Sequence, residues 1–245
     1  MIEREDIDGV TVLRLSAGKV NALDLELNTA IAEELGAVED TRPVVLTGAG
    51  SSFCAGVDLR RIVEGGPDEA YEFLTSLSRA FLAVFDHPGP TIAAVNGHAI
   101  AGGLVLALAC DHRLAAEGDG RLGLTELTVG VPFPTSAIEI VRHAVGGAVA
   151  HDLVLSARLV GVDSALELGL VDRIVPPDEL DRQAVALARR VGTYAPAAYG
   201  LAKRQLQRPA RIAISTNTPT DDLEVNELWA DDATTARIRD FLASL

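Results

Sequence analysis

Short β-type segments alternate with helical segments along residues 1–191, and this alternation most constrains the fold. The β-type segments are residues 10–15, 43–47, 91–95, 113–116, 121–124 and 170–175. Helical segments lie between them. Apolar residues recur every three to four positions in residues 24–38 and 68–85, as in helices with one buried face, whereas residues 102–110 are apolar on all sides, as in a buried helix. These helical segments are residues 24–38, 68–85, 102–110, 135–145, 147–157 and 177–191. The pattern predicts an α/β domain.

The last part of the sequence follows a different pattern. We find no β-type segment after residue 191, and the remaining residues have a helical pattern. The sequence therefore predicts an α/β core over residues 1–191 and a helical C-terminal segment over residues 192–245.

The charge balance limits the possible partners. The 245 residues include 35 acidic and 21 basic side chains, which gives a formal net charge of −14. Nucleic acids and anionic membrane surfaces bind positively charged faces, so we expect neither as a partner. Any compact polyanionic ligand would need a local cluster of cations or helix N-termini.

Cysteine usage and hydropathy point to a cytoplasmic protein. Two cysteines, Cys54 and Cys110, are too few for a disulfide framework in 245 residues, which favours a reducing compartment. The N-terminal residues lack the basic and apolar regions of a signal peptide. The longest uncharged apolar run, residues 99–110, is too short to span a membrane.

Several familiar cofactor and nucleophile patterns fail in this sequence. Residues 48–53 (G-A-G-S-S-F) follow a predicted strand, but Phe53 stands where a dinucleotide-binding loop has its third glycine. Cys54 has no activating base near it in sequence, so a packing role is expected. The five histidines lack metal-ligand spacing. We therefore expect neither a metal nor a redox cofactor.

Two loops share one physical design. Residues 53–58 (F-C-A-G-V-D) and 99–103 (A-I-A-G-G) place small residues where the backbone turns into a helix. Small residues let a ligand approach the main chain, and the first amides of a helix point outward as donors. Two such donors aimed at one carbonyl oxygen form an oxyanion hole. For either loop alone, an ordinary glycine-rich strand-to-helix turn is the favoured interpretation.

Together with neighbouring motifs, in this order, the loops resemble the crotonase (enoyl-CoA hydratase/isomerase) superfamily. The matching segments are V-N-A-L (20–23), L-T-G-A-G-S-S-F-C-A-G-V-D-L (46–59), P-T-I-A-A-V-N-G-H-A-I-A-G-G (90–103), A-C-D-H-R (109–113), P-A-A (196–198) and A-K (202–203). The resemblance covers nearly the whole chain. It implies a ββα spiral core, an acyl-CoA thioester substrate, no cofactor beyond the CoA of that substrate, and trimers or hexamers assembled through residues 192–245.

The resemblance also assigns candidate site residues. It implies that the backbone amides of Val57 and Gly102 bind the thioester oxygen. The candidates for contact with CoA are Lys19, Ala55, Arg60 and Arg61. Relatives often add a basic C-terminal residue to the phosphate site, and Arg237 and Arg239 are the candidates for that position.

In the family that this sequence resembles, the number of catalytic glutamates distinguishes two reactions. Hydratases of this superfamily carry one glutamate just after the second glycine loop and another further along the chain. The first position holds Val105 and the second holds Glu126. Hydration of a conjugated double bond requires two cooperating groups, whereas moving a double bond from the 3,4 to the 2,3 position requires one base. We therefore expect a Δ3,Δ2-enoyl-CoA isomerase, with a hydratase or a non-catalytic acyl-CoA-binding protein as alternatives.

The carboxylates near these motifs are expected to have different roles. Glu126 is flanked by apolar residues, which should raise its pKa towards that of a general base. These residues are Leu122, Leu124, Leu127, Val129 and Val131. Asp58 should order its loop, and Asp111 should bond local backbone or Arg113.

Overall fold

The computed structural model describes residues 1–244, which form ten strands and nine α-helices. The strands are β1 (Ile2–Ile7), β2 (Val10–Leu15), β3 (Val44–Gly48), β4 (Ser52–Cys54), β5 (Thr91–Val95), β6 (His98–Ile100), β7 (His112–Ala116), β8 (Arg121–Gly123), β9 (Leu159–Gly161) and β10 (Arg173–Val175). The helices are α1 (Leu25–Gly36), α2 (Leu59–Asp86), α3 (Gly102–Leu108), α4 (Glu126–Val129), α5 (Thr135–Ser156), α6 (Val162–Glu167), α7 (Leu180–Gly192), α8 (Pro196–Ala230) and α9 (Asp232–Ala243).

The strands form two sheets. The larger sheet has the order β1-β2-β3-β5-β7-β10 and is parallel except for the pair β1 and β2. The smaller sheet has the order β4-β6-β8-β9, in which β4, β6 and β8 are parallel and β9 is antiparallel to β8. The smaller sheet positions the site described below.

The larger sheet separates two hydrophobic cores, because alternate residues of a strand face opposite sides. One set packs against α7: Val10, Val12, Val45, Ile92, Ala94, Leu114 and Ala116. The other set joins the main core: Leu13, Leu15, Leu46, Ala93, Val95 and Ala115. Both faces of the sheet are therefore buried, as parallel sheets require.

The predicted strands are confirmed, and four strands were missed: β1, β4, β6 and β9. Strands β2 and β5 have the predicted bounds, residues 10–15 and 91–95. Strand β1 was missed because its charged residues leave most of it exposed, without the apolar pattern of a buried strand. Strands β4, β6 and β9 have only three residues each, which is too short for a clear alternating pattern. The predicted strand over residues 170–175 begins later, at Arg173.

Helices α4 and α6 were not predicted, and the other helices follow the predicted segments, with one large extension. Asp24 caps α1, since its Oδ1 accepts a hydrogen bond of 2.7 Å from the Leu27 amide. Helix α2 begins at Leu59, well before the predicted residue 68, and is interrupted at Gly66, which has φ +78°. Helix α5 joins the two predicted helices over residues 135–157 and breaks at Gly146, which has φ +75°. Both breaks use a left-handed conformation that favours glycine.

The C-terminal segment is helical, as predicted, and packs on the core of its own chain. Helix α8 contacts α2 and α5, and α9 contacts α2. Four residues of these two helices lie in the main core: Ala210, Val225, Trp229 and Ile238. The assembly role of residues 192–245 stays a prediction. Within residues 1–244, none of the helices is long and apolar enough to cross a membrane.

Candidate active site

Three parallel strands end at one edge of the smaller sheet. The register pairs Cys54 of β4 with Ala99 of β6, and Ile100 of β6 with Gly123 of β8. The chain continues from these strand ends to the three predicted catalytic positions, Val57, Gly102 and Glu126. Since neighbouring parallel strands have their carboxyl ends on the same side, the topology brings these positions to one edge.

The loop after β4 is fixed by a single parallel bridge between Leu23 and Val57. The Leu23 amide donates to the Gly56 carbonyl at 2.7 Å, and the Asp58 amide donates to the Leu23 carbonyl at 2.9 Å. In a parallel bridge of this kind, the residue between these two groups directs its own amide to the opposite side. The amide of Val57 therefore points away from Leu23.

The loop after β6 packs against the first loop. Gly102 is the first residue of α3, where an amide has no acceptor within the helix. The preceding Ala101 has φ +53°, a conformation that costs energy for a residue with a side chain. A Cβ on Gly102 would lie 3.7 Å from Cγ1 of Val57, and one on Gly103 would lie 2.0 Å from the Cys54 carbonyl oxygen. The close approach of the two loops therefore requires glycine at position 103.

Glu126 is the first residue of the single-turn helix α4. Its Oε2 is buried and has no hydrogen-bond partner among residues 1–244. Burial of the carboxyl raises its pKa from 4.5 to about 8, because the charged form loses hydration. At neutral pH this group can exchange a proton, as a general base requires.

Val105 occupies the other position at which hydratases carry a glutamate. It lies in α3, one turn after Gly102, and is fully buried. A valine side chain can neither orient water nor transfer a proton. Of the two positions at which hydratases carry a glutamate, only position 126 has a titratable side chain in this protein.

The candidates for CoA binding differ in their surroundings. Lys19 and Arg60 are exposed, and neither forms an ion pair within the described residues. The Ala55 amide donates to the Val20 carbonyl at 3.0 Å, so only other groups of Ala55 could contact a ligand. All of these assignments stay predictions.

Arg61 is held by carboxylates of its own chain. Its guanidinium lies 3.4 Å from Asp24 and 3.3 Å from Glu69, and it also pairs with Glu26. The same arginine lowers the pKa of Glu26 through their hydrogen bond. A phosphate would therefore have to compete with three carboxylates for Arg61.

The basic residues proposed near the C-terminus lie on α9. The side chain of Arg237 packs against Gly130, where a Cβ would come within 2.9 Å of its Cδ and Nε atoms. Arg239 is exposed. Arg237 thus lies beside the turn that follows Glu126, and its role towards CoA stays a prediction.

Asn21 supports the first loop, a role that was not predicted from the sequence. It is buried and has φ +52°. Its Oδ1 accepts from the Ala17 amide at 3.0 Å, and its Nδ2 donates to the carbonyls of Ala49 (3.0 Å) and Ser52 (2.9 Å). The sequence indicated this role only through the asparagine in V-N-A-L (20–23), because Asn adopts a positive φ more readily than most other residues.

The expected structural roles of two aspartates are confirmed. Asp58 caps α2, where its Oδ1 accepts from the amides of Arg60 (3.1 Å) and Arg61 (3.3 Å). Oδ2 of Asp111 accepts from the Thr91 amide, the Tyr199 hydroxyl and the Lys203 ammonium, each at 2.9 Å.

Arg113 was wrongly expected as a partner of Asp111. Its guanidinium instead donates to Asp172 at 3.0 Å and to the Cys110 carbonyl at 2.9 Å. The reason is topological: β10 pairs with β7 and carries the neighbouring Asp172 to Arg113.

Both cysteines are buried and free, as a packing role requires. Burial raises the pKa of each thiol to about 12. Neither Cys54 nor Cys110 is therefore a thiolate at neutral pH, and the rejection of Cys54 as a nucleophile is supported.

Comparison with known proteins identifies the family. The sequence profile described as enoyl-CoA hydratase/isomerase matches residues 5–234. A Thermus thermophilus protein provisionally named enoyl-CoA hydratase is 43% identical over 192 residues, which cover 76% of this chain and 75% of that protein. The short-chain-enoyl-CoA hydratase of Clostridium acetobutylicum is 32% identical over 211 residues, which cover 84% of this chain and 80% of that enzyme.

The fold matches solved structures over its full length. The crystal structure of human mitochondrial Δ3-Δ2-enoyl-CoA isomerase superposes with a TM-score of 0.92 at 23% identity, covering 100% of this chain and 96% of that one. This agreement confirms the predicted crotonase fold with a helical C-terminal segment. The chain belongs to the enoyl-CoA hydratase/isomerase family and is an enzyme of that family.

Proposed function

We propose that the protein is a Δ3,Δ2-enoyl-CoA isomerase in which Glu126 is the only proton-transferring side chain. The observation that carries this proposal is the pair of residues at the two family positions. One position holds a buried, unpartnered carboxyl with a raised pKa, and the other holds Val105. A single base is sufficient for isomerisation, but hydration requires a second group.

The proposed reaction is a proton shift. The amides of Val57 and Gly102 donate to the thioester oxygen of a 3-enoyl-CoA, which stabilises negative charge on that oxygen. Ionised Glu126 removes a proton from C2, and the electrons delocalise towards C4 and the thioester oxygen. Protonated Glu126 then returns the proton to C4, which leaves the double bond between C2 and C3. No electrons are gained or lost overall, so the reaction calls for no metal or redox cofactor.

The proposed ligand is a CoA thioester despite the net charge of −14. CoA is compact, so a few local cations and helix amides are sufficient to bind its phosphates. Lys19 and Arg60 are the candidates whose charges are not neutralised by an ion pair within residues 1–244. Arg61 is a weaker candidate because Asp24, Glu26 and Glu69 surround it.

We further propose that copies of the chain associate through the C-terminal segment as trimers or hexamers. Helix α8 exposes large apolar side chains, which is typical of an assembly surface. They are Leu201, Leu206, Ile212, Leu223 and Leu228. Sedimentation of the purified protein should give the mass of a trimer or hexamer, and a monomer at micromolar concentration would refute this proposal.

The second candidate is a hydratase, because the named relatives at 43% and 32% identity are called hydratases. In that case, a 2-enoyl-CoA would be converted to a 3-hydroxyacyl-CoA. Some group other than residue 105 would then have to activate water together with Glu126.

One assay separates these functions. The protein is incubated with a 3-enoyl-CoA and, separately, with a 2-enoyl-CoA, while absorbance reports formation or loss of the conjugated thioester. We expect rapid conjugation of the 3-enoyl substrate and hydration at least 100-fold slower, in line with the contribution of one acid–base group. Equally fast hydration would favour the hydratase. Binding of both ligands without turnover would refute both enzyme proposals.

A further inference from the structure

The segment that follows Glu126 is attached to the C-terminal helices of the same chain. The indole Nε1 of Trp229, at the end of α8, donates to the Pro132 carbonyl at 3.1 Å. Oδ1 of Asp222, also on α8, accepts from the amide (2.8 Å) and the hydroxyl (2.6 Å) of Thr135. The two side chains thus hold the segment at two points a few residues apart.

Helix α4 depends on such contacts because it is only one turn long. A helix of four residues is not stable by itself in water. Within the turn, the Glu126 carbonyl accepts from the amides of Gly130 (2.9 Å) and Val131 (3.1 Å). The next residue, Pro132, donates no backbone hydrogen bond, and its carbonyl is the atom bound by Trp229. Tertiary contacts must therefore fix the direction of the Glu126 side chain.

Trp229 is rigid enough to provide such a contact. Its side chain is buried, and its ring lies 6.2 Å from the ring of Phe73 on α2. Because α2 belongs to the main core, this packing anchors the indole independently of the hydrogen bond to Pro132. Through the hydrogen bond to Pro132, the anchored indole fixes the segment that follows Glu126 relative to the core.

We propose that Trp229 and Asp222 are positioning residues, which hold the segment from Glu126 to Thr135 so that the Glu126 carboxyl faces the substrate. The proposal rests on the proposed role of Glu126 as the base. It gives the C-terminal helices a task in catalysis within their own chain, in addition to any role in assembly.

The test compares variants of α8 that remove hydrogen bonds to backbone atoms. W229F keeps an aromatic ring beside Phe73 but removes the N–H, and D222A removes the acceptor for Thr135. The matched control is Q207L, because Gln207 is also buried on α8 and donates to a backbone carbonyl, that of Phe85, at 2.6 Å. That carbonyl lies at the far end of α2.

We expect W229F and D222A each to lower kcat about tenfold with KM changed less than about twofold, because small displacements of a reacting group reduce turnover strongly. Q207L should lower Tm by a similar amount and leave kcat unchanged. In the Glu126→Gln background, W229F should cause no further loss of the residual kcat, because its effect acts through Glu126.

Two results would overturn the inference. The first is equal loss of kcat in W229F, D222A and Q207L at the same folded fraction. The second is a full tenfold effect of W229F in the Glu126→Gln background. Failure of the proposed role of Glu126 as the base gives a different pattern, since Glu126→Gln itself would then leave the activity unchanged.

Discussion

The carboxyl groups of Glu126 and Asp111 are both largely buried, but their surroundings are opposite. Asp111 accepts hydrogen bonds from Thr91, Tyr199 and the ammonium group of Lys203. Glu126 has a buried oxygen with no partner within residues 1–244. A satisfied, paired carboxylate holds elements together, whereas a buried, unpartnered one destabilises the fold and is typical of functional sites.

Two neighbouring arginines at the start of α2 also differ in whether their charge is paired. Arg61 is paired with three carboxylates, and Arg60 forms no ion pair within the described chain. Groups that are satisfied within the chain are thus expected to stabilise the fold, and groups left unsatisfied are expected to bind or transform a ligand. The predictions below test this distinction.

The largest effect is expected for Glu126→Gln. Loss of the proposed base should lower kcat for conjugation of a 3-enoyl-CoA about 10³- to 10⁴-fold. The control is Glu139→Gln, which alters another buried glutamate, one that is paired with Arg142, and should retain activity. More than about a tenth of the wild-type kcat in Glu126→Gln would contradict the assignment.

The same variant should not lose stability. Between pH 4.5 and about 8, the folded protein keeps a proton on Glu126 that the unfolded chain releases. Stability therefore falls as pH rises through this window, and the neutral glutamine avoids the cost. Thermal unfolding at pH 8 should show a Tm equal to or above that of the wild type.

The opposite result is expected for Asp111→Asn. This change leaves the buried Lys203 ammonium without its counter-charge and should cost about 3 to 4 kcal/mol of unfolding free energy. The kcat of the folded fraction should stay within about twofold of the wild type, because Asp111 is not at the sheet edge that carries Glu126. Urea unfolding measures the free energy of unfolding of this variant and of the double variant Asp111→Asn with Lys203→Met. We expect the double variant to regain part of the lost stability, because it no longer buries an unpaired charge. A large loss of kcat in Asp111→Asn with unchanged stability would contradict the structural role of Asp111.

A smaller effect is expected for Gly103→Ala, which tests the unsatisfied amides. The added Cβ would lie 2.0 Å from the Cys54 carbonyl oxygen, so the start of α3 must shift and carry the Gly102 amide with it. Loss of one donor to the thioester oxygen should reduce kcat about 100-fold. Gly147→Ala is the control, since a Cβ there meets no atom within 4 Å. Equal kcat values in the two variants would argue against an oxyanion hole at Gly102.

The smallest effect is expected for the arginines. Arg60→Gln should raise KM for a CoA thioester about three- to fivefold and leave KM for the pantetheine thioester unchanged, since surface charge contacts are weak. Arg61→Gln should change KM less, because internal carboxylates already neutralise that charge. A larger KM effect in Arg61→Gln than in Arg60→Gln would show that phosphates displace those carboxylates.

Local patterns predicted much of the fold and the positions of the site. Strand β5, the Asp24 cap of α1 and the break of α5 at Gly146 follow from residues close together in sequence. Glu126 could be selected because of its apolar neighbours and the resemblance to a known family.

The remaining contacts join distant residues, which no local pattern specifies. Lys203 meets Asp111 across 92 positions, and Trp229 meets Pro132 across 97. Strand β1 was missed for a different reason, because it lies at the sheet edge and its charged residues face solvent.

The role of Glu126 as the base is tested most directly by the pH dependence of kcat/KM for conjugation of a 3-enoyl-CoA by the wild-type protein. In the proposed reaction, Glu126 must be ionised to accept the C2 proton, and its pKa is raised to about 8. We therefore expect kcat/KM to rise with pH and to reach half its maximum near pH 8. A profile that is half-maximal near the ordinary glutamate pKa of 4.5, or level through neutral pH, would contradict the claim that the base is this buried, unpartnered carboxyl.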